Sequence, residues 1–74
     1  MKEELEEKVE ILRKYETLCY QITYYLLQDE SLAVRAAGEA LLELGLDDEF
    51  FSALEQDREN KVRRTAILKS LALK

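Results

Sequence analysis

Few side chains in this sequence could perform chemistry, and they do not form a catalytic pattern. There is no histidine, which is the commonest general base and the commonest metal ligand in proteins. The one cysteine, Cys19, lies in an apolar run and has no such base to activate it as a nucleophile. We therefore predict that the chain is not an enzyme, that it forms no internal disulfide, and that Cys19 is a small buried hydrophobic residue.

The acidic run Asp47-Asp48-Glu49 could attract a cation. Adjacent acids at the start of a helix usually accept hydrogen bonds from free backbone N–H groups, so we interpret this run as a helix cap. The sequence also lacks a glycine-rich loop of the kind that binds phosphates. No metal and no cofactor are predicted.

The composition indicates a small helical protein. The chain has 74 residues, of which 47% are hydrophobic and 36% charged, with two glycines and no proline. A chain of this length buries only about 60% of its unfolded surface, so a partner or a second copy would add useful burial. The N-terminus is not typical of a signal peptide, and no apolar run approaches the ~20 residues of a membrane span. We expect a cytoplasmic protein that does not bind membranes.

Apolar residues at helical spacing predict an all-α fold, a small single-domain bundle of about four helices. The stretch from Tyr15 to Gly45 reads as an apolar helix, a polar corner and an alanine-rich helix, and the rest of the chain is expected to pack around it. The predicted helices cover residues 1–27, 32–44, 48–56 and 60–73. The predicted core comprises Leu12, Cys19, Ile22, Leu26, Ala37, Leu41, Leu44, Phe50, Leu54, Val62 and Ala66.

Polar residues between these helices predict where each one begins. Asp29 or Ser31 is expected to cap the second helix, Asp47 or Asp48 the third, and Asp57 or Asn60 the last. The apolar side of the last helix is expected to comprise Val62, Ala66, Ile67, Leu71 and Leu73.

The two glycines predict special backbone positions in the second helix. Gly45 is expected to end the helix in a left-handed conformation, with Leu46 folding back as the hydrophobic contact of the cap. Gly38 costs about 1 kcal/mol relative to alanine inside a helix. Close packing of another helix against Gly38 is the expected compensation.

A helix–corner–helix motif occupies the middle of the chain. Its first helix ends in the pair Leu26-Leu27, its corner contains Asp29, and its second helix opens with Leu32-Ala33. This stretch resembles the second conserved region of sigma-70 family transcription factors, particularly those of the extracytoplasmic-function type. The matching positions are Tyr20, Leu26, Leu27, Asp29, Leu32, Ala33, Glu39, Leu41 and Leu42.

The resemblance implies a transcription protein without catalytic activity, which binds RNA polymerase core or another transcription protein. In that family this region docks on the coiled coil of the polymerase β′ subunit. The sequence departs from the family at Val34-Arg35, where an acidic pair is usual, and at Gly38, where glutamine is usual. The aromatic residues that help to melt promoter DNA are not evident in residues 61–74, so we do not expect a complete sigma factor. The implied docking contacts on the outer face of the second helix are Arg35, Glu39, Leu42 and Glu43.

Charge divides unevenly along the chain. Residues 1–57 carry fifteen acids and five bases, a net charge of −10, whereas residues 58–74 carry six bases and one acid, a net charge of +5. The whole molecule, at −5, should be repelled by DNA and should not bind it alone. The basic last helix could contact DNA within a complex, or its charges could offset acids elsewhere in the domain. The candidates for a nucleic-acid contact are Arg58, Lys61, Arg63, Arg64 and Lys69.

An internal echo offers an alternative interpretation as a HEAT-like protein-interaction module. The segments 26–35 and 54–63 share Leu, Gln, Asp, Val and Arg at a constant offset of 28 residues. In that interpretation Asp29 and Asp57 would each cap a helix, and Arg35 and Arg63 would form a ladder along the stack.

Overall fold

The computed structural model of the protein describes residues 2–74 and shows a bundle of α-helices. Residue 1, which the prediction placed in the first helix, lies outside the described residues. Within residues 2–74 there is no strand, and no helix is both long enough and apolar enough to cross a membrane. The all-α prediction is therefore confirmed. The helices are α1 (Lys2–Leu27), α2 (Glu30–Gly45), α3 (Asp48–Ser52) and α4 (Glu55–Leu73).

The corner between α1 and α2 is made by two adjacent polar residues. Gln28 adopts a left-handed conformation with φ of 54°, and its side-chain Nε2 donates to the carbonyl of Tyr25 at 2.8 Å. Asp29 Oδ1 accepts from the backbone N–H of Leu32 at 2.9 Å, so Asp29 rather than Ser31 caps α2. Because that cap lies directly before Glu30, α2 begins two residues earlier than predicted.

The two helices of this hairpin, α1 and α2, pack closely because α2 presents alanines to the core. Ala33, Ala36, Ala37 and Ala40 are all buried. Their small size lets the hydroxyl of Thr23 on α1 donate to the carbonyl of Ala33 on α2 at 3.0 Å. A polar bond therefore joins the two helices inside an otherwise apolar contact.

The end of α2 differs from the prediction. Gly45 remains helical with a negative φ, and Leu46, expected to fold back, is 79% exposed. The small residue serves packing instead, because a Cβ at Gly45 would lie 3.3 Å from Cδ1 of Leu12. Gly45 is thus a place where α1 approaches the α2 backbone.

The boundary between α3 and α4 was predicted wrongly. Both Ala53 and Leu54 are extended, so α3 ends at Ser52 and α4 begins at Glu55 rather than at residue 60. Arg58 explains the early break, since its guanidinium donates to the carbonyls of Phe50 and Phe51 and holds the end of α3. Leu54, predicted to be in the core, is 77% exposed at this turn.

The two echoed segments do not adopt the same structure. Asp29 caps a helix, but Asp57 lies inside the first turn of α4, where no corner exists. Each arginine of the expected ladder pairs within its own helix, Arg35 with Glu39 and Arg63 with Glu59. The corner predicted at residues 57–60 is therefore absent.

Most of the predicted core residues are buried or lie against the core. Cys19, Ala37, Leu44, Phe50, Val62 and Ala66 are fully or nearly fully buried, while Leu12, Ile22, Leu26 and Leu41 are half-buried. Phe50 contacts Tyr15 edge-on with ring centroids 5.9 Å apart. The buried residues that the prediction missed are Tyr15, Thr23, Ala33, Ala36, Ala40, Thr65 and Ser70.

The buried face of α4 is rotated away from its bulkiest apolar residues. Thr65 and Ser70 lie inside, and the Ser70 hydroxyl donates to the carbonyl of Ala66 at 2.8 Å. Ile67 and Leu71, which were predicted to face inward, are 41% and 56% exposed. Their outward position leaves an apolar surface on this side of the bundle.

Replacement of Tyr15 by phenylalanine should stabilise the fold. The Tyr15 side chain is 5% exposed and its hydroxyl has no hydrogen-bond partner among residues 3–74. Removal of a buried unsatisfied group should raise the free energy of unfolding by about 1 kcal/mol, measured by urea denaturation. Tyr25→Phe is the control, because Tyr25 is 76% exposed and should change nothing. A loss of stability in Tyr15→Phe would show that the hydroxyl does have a partner in solution.

Candidate functional site

The outer face of α2, on the side away from the bundle core, carries three of the four predicted docking residues. Arg35, Glu39 and Leu42 follow one another at helical spacing, and all three are exposed. Arg35 Nε lies 3.7 Å from Glu39 Oε2, an exposed ion pair one turn apart. Leu42 is 66% exposed, although it is a large apolar side chain. The face therefore combines an opposite-charge pair with an accessible apolar residue.

Glu43, the fourth predicted docking residue, lies at the edge of this face. Its carboxylate accepts an ion pair from Lys69 of α4, with Nζ and Oε1 3.3 Å apart. The contact turns Glu43 toward α4, so the structure does not place it with Arg35, Glu39 and Leu42.

Sequence reasoning missed further residues of the same surface. Val34 and Leu46 are 56% and 79% exposed, and with Gly38 and Leu42 they recur at every fourth position. That spacing was visible in the sequence, but only Leu42 was predicted to be a docking contact. Gly38 was expected to pack against another helix, and Leu46 to fold back on the helix cap. We call the exposed residues Val34, Arg35, Gly38, Glu39, Leu42 and Leu46 the α2 face.

A shallow groove separates the α2 face from α1. It is lined by Glu16, Thr17 and Tyr20 of α1, and by Val34, Ala37, Gly38 and Leu41 of α2. Apart from its chain neighbours and the backbone of its own helix, no atom of the described residues lies within 4 Å of the position that a Cβ at Gly38 would occupy. The close helix packing predicted at Gly38 is therefore absent from the bundle, and the glycine opens onto the groove.

The basic residues of α4 mostly serve contacts within the protein. Lys61 pairs with Asp47, Arg63 with Glu59 at 2.8 Å, and Lys69 with Glu43. Arg58 is half-buried and donates to backbone carbonyls of α3. Arg64 is exposed and makes no ion pair with any side chain of residues 3–74. Four of the five residues considered for nucleic acid thus have partners inside the bundle.

Two ion pairs join helices and shift the pKa values of their acids. The hydrogen bond from Lys61 lowers the pKa of Asp47, and the Lys61 charge and the backbone N–H groups of α3 act in the same direction. Lys14 of α1 contacts Glu55 of α4 at 2.7 Å; the hydrogen bond lowers the pKa of Glu55 and raises that of Lys14. These pairs tie α4 to the α2–α3 corner and to α1.

Cys19 occupies a protected position. It is fully buried, its Sγ lies 3.8 Å from the carbonyl oxygen of Ala37, and burial raises the pKa of its thiol to about 11. A thiol with such a pKa carries almost no thiolate at neutral pH and is a poor nucleophile. Among residues 2–74 no three Asp, Glu or Cys side chains cluster closely enough to hold a metal ion.

Comparison of the chain with models of protein families, with curated proteins and with solved structures finds no match.

Replacement of Gly38 by alanine should stabilise the free protein. The residue is exposed inside α2, has ordinary helical backbone angles, and has open space where the methyl group would lie. The gain in the free energy of unfolding should be about 1 kcal/mol, measured by urea denaturation. Gly45→Ala is the matched control, because its new methyl group would press on Leu12 and offset the gain in helix propensity. Equal gains at both positions would contradict the packing described here.

The Asp47–Lys61 pair should stabilise the fold only when Asp47 is ionised. Folding lowers the pKa of Asp47, so the stabilisation is complete above the unfolded value of about 3.9 and disappears as pH falls through the lower folded value. Lys61→Gln should therefore lower the melting temperature near pH 7 at low salt. The difference from the original protein should narrow as pH falls from about 5 toward 2, and also in about 1 M salt.

Arg64→Gln is the control for Lys61→Gln, because Arg64 has no ion-pair partner among residues 3–74. Its melting temperature should follow that of the original protein at each pH. A constant deficit of Lys61→Gln from neutral to acid pH would show that the lysine stabilises the fold by packing rather than by its charge.

Proposed function

We propose that this protein is a non-enzymatic docking module whose α2 face binds a helical protein partner. The observation that carries the proposal is the exposure of Leu42 on α2 and of Leu46 at its C-cap, at 66% and 79%, while the opposite side of the helix is buried in the core. Large apolar side chains aligned on one rigid face are typical of a protein-contact surface. The resemblance of residues 20–42 to sigma region 2 suggests the partner class, the coiled coil of the RNA polymerase β′ subunit.

The α2 face has the chemistry of a helix-packing surface. Val34, Leu42 and Leu46 supply an apolar ridge, and the Arg35–Glu39 pair lies beside it with both charges accessible. An apolar centre with flanking charges favours association, while the charges select the register of the partner. Gly38 adds a shallow notch where a partner side chain can enter without displacing anything.

The second helix of a docking hairpin must be held rigidly for such a surface to be useful. Three contacts hold the α2 backbone in place: the alanine contact with α1, the Thr23 hydrogen bond and the Asp29 cap. Binding would then require little reorganisation of the main chain, which reduces the entropic cost of association.

In this proposal the basic residues of α4 stabilise the fold and do not recognise DNA. Lys61, Lys69 and Arg58 already bind acidic or carbonyl groups of the same molecule. Phosphate binding would require these contacts to be exchanged, and the net charge of −5 opposes the approach of DNA. We propose that any contact with nucleic acid depends on the partner.

Reversal of the charge at Glu39 tests the proposed function. The 74-residue chain should bind a purified β′ coiled-coil segment in titration calorimetry, and Glu39→Lys should weaken binding by about tenfold through the reversal of one interfacial charge. Asp57→Lys carries the same charge change on α4 and should bind like the original protein. Circular dichroism should show unchanged helix content in both variants. The proposal is wrong if the original protein binds neither the coiled coil nor core polymerase, and the α2 face is the wrong surface if Glu39→Lys has no effect.

A further inference from the structure

The groove between α1 and the α2 face is open at a glycine that the fold does not require. Gly38 is exposed inside α2 and has ordinary helical backbone angles. Glycine is less favourable than alanine inside a helix, and its usual justification is a positive φ or a close packing partner. Gly38 has neither among the described residues. The missing side chain therefore leaves the groove open and does not stabilise the bundle.

The walls of the groove beside Gly38 are apolar and are held by contacts within the protein. Tyr20 of α1 is half-buried and stacks on Tyr24, with ring centroids 6.0 Å apart and an interplanar angle of 26°. Val34 and the buried Ala37 line the groove from the side of α2. The groove measures about 430 Å³, whereas a water molecule takes up about 30 Å³ of the liquid. It therefore has room for a large side chain of another molecule.

The groove runs between antiparallel helices, and its two ends differ in chemistry. Cys19 of α1 contacts the carbonyl of Ala37, and Thr23, later in α1, contacts the carbonyl of Ala33, earlier in α2. The aromatic part of the groove therefore lies toward the corner between α1 and α2. Glu16, one turn earlier in α1, lies toward the C-terminal end of α2. The groove thus passes from an apolar part to an acidic part within one helical turn.

Glu16 gives the groove its charge. Of the described residues that line the groove, only Glu16 is charged. Its side chain is exposed and makes no ion pair with any side chain of residues 3–74, including Arg13 one turn earlier. It lies about 6 Å along the helix axis from Tyr20, at a rise of about 1.5 Å per residue. An accessible, unpaired carboxylate is complementary to a lysine or arginine of a partner.

We propose that the partner helix places a large apolar side chain in the groove beside Gly38 and a lysine or arginine, one helical turn away, against Glu16. The inference rests on the proposed function and extends its contact surface from α2 to α1. Residues 1–57, which include both walls of the groove, carry a net charge of −10 and attract a basic partner over a longer range. The groove therefore fits a helix whose docking face is apolar and basic.

Filling the groove tests the apolar anchor. Gly38→Leu should weaken binding of the purified β′ coiled-coil segment by about tenfold or more in titration calorimetry, because a buried apolar anchor is a typical interface hot spot. The melting temperature should not fall, since leucine favours a helix and meets open space here. Asn60→Leu is the control, because it adds the same side chain at an exposed position of α4 and should bind like the original protein.

Alanine replacements in the partner identify the anchor itself. Each exposed apolar residue of the coiled coil is replaced in turn, and each variant is titrated against the original chain and against Gly38→Leu. One replacement should weaken binding to the original chain by about tenfold. It should add little to the loss already seen with Gly38→Leu, because both changes remove the same contact. Additive losses at every position would overturn the proposal.

Charge reversal tests the acidic part of the groove. Glu16→Lys should weaken binding by about tenfold at low salt and by less in about 1 M salt, because exposed charges are then screened. Asp57→Lys again serves as the control. The groove proposal is overturned, while the proposed function stands, if Glu39→Lys weakens binding but Gly38→Leu and Glu16→Lys do not. If the original chain binds neither the coiled coil nor core polymerase, both proposals are wrong.

Discussion

The close contact between α1 and α2 is the constraint on which the rest of this structure depends. Four alanines of α2 are buried, and across them the Thr23 hydroxyl reaches the carbonyl of Ala33 at 3.0 Å. A side chain larger than alanine at these positions would separate the helices and break that bond. The face of α2 that packs against α1 therefore carries small residues, and the large apolar residues of α2 must lie on its other faces.

The same constraint accounts for the unusual surface of the protein. An alanine contact removes little apolar area from water, so the core relies on a few larger groups such as Phe50, Leu44 and Val62. Leu42, Leu46 and Leu71 remain substantially exposed. Exposure of apolar residues that are aligned on rigid helices is energetically unfavourable in a monomer unless another protein surface covers them. The packing of α2 is therefore linked to the docking surface that the same helix presents.

The sequence was sufficient to predict the all-α fold and the hairpin of α1 and α2, and it narrowed the cap of α2 to Asp29 or Ser31, because helical periodicity and capping side chains are local signals. The boundary between α3 and α4 was not predictable in the same way. Leu54 occupies the N-cap position of α4 without any side-chain cap, and the residue that holds the break, Arg58, acts through carbonyls seven and eight residues earlier in the chain. An arginine in a basic helix gives no sequence signal for such a role.

The rotation of α4 was also hidden from the sequence, and it decides which surfaces are available. Periodicity favours the bulky Ile67 and Leu71 as the inward side, yet Thr65 and Ser70 are buried. Ser70 satisfies its hydroxyl on the carbonyl of Ala66 at 2.8 Å, so it enters the core without an unpaired polar group. Lys61 and Lys69 then face Asp47 and Glu43 on the α2 side. Ile67 lines a groove with Tyr25, and Leu71 is exposed. One rotation thus places Lys61 and Lys69 in ion pairs with the α2 side and gives the bundle an apolar surface separate from the α2 face.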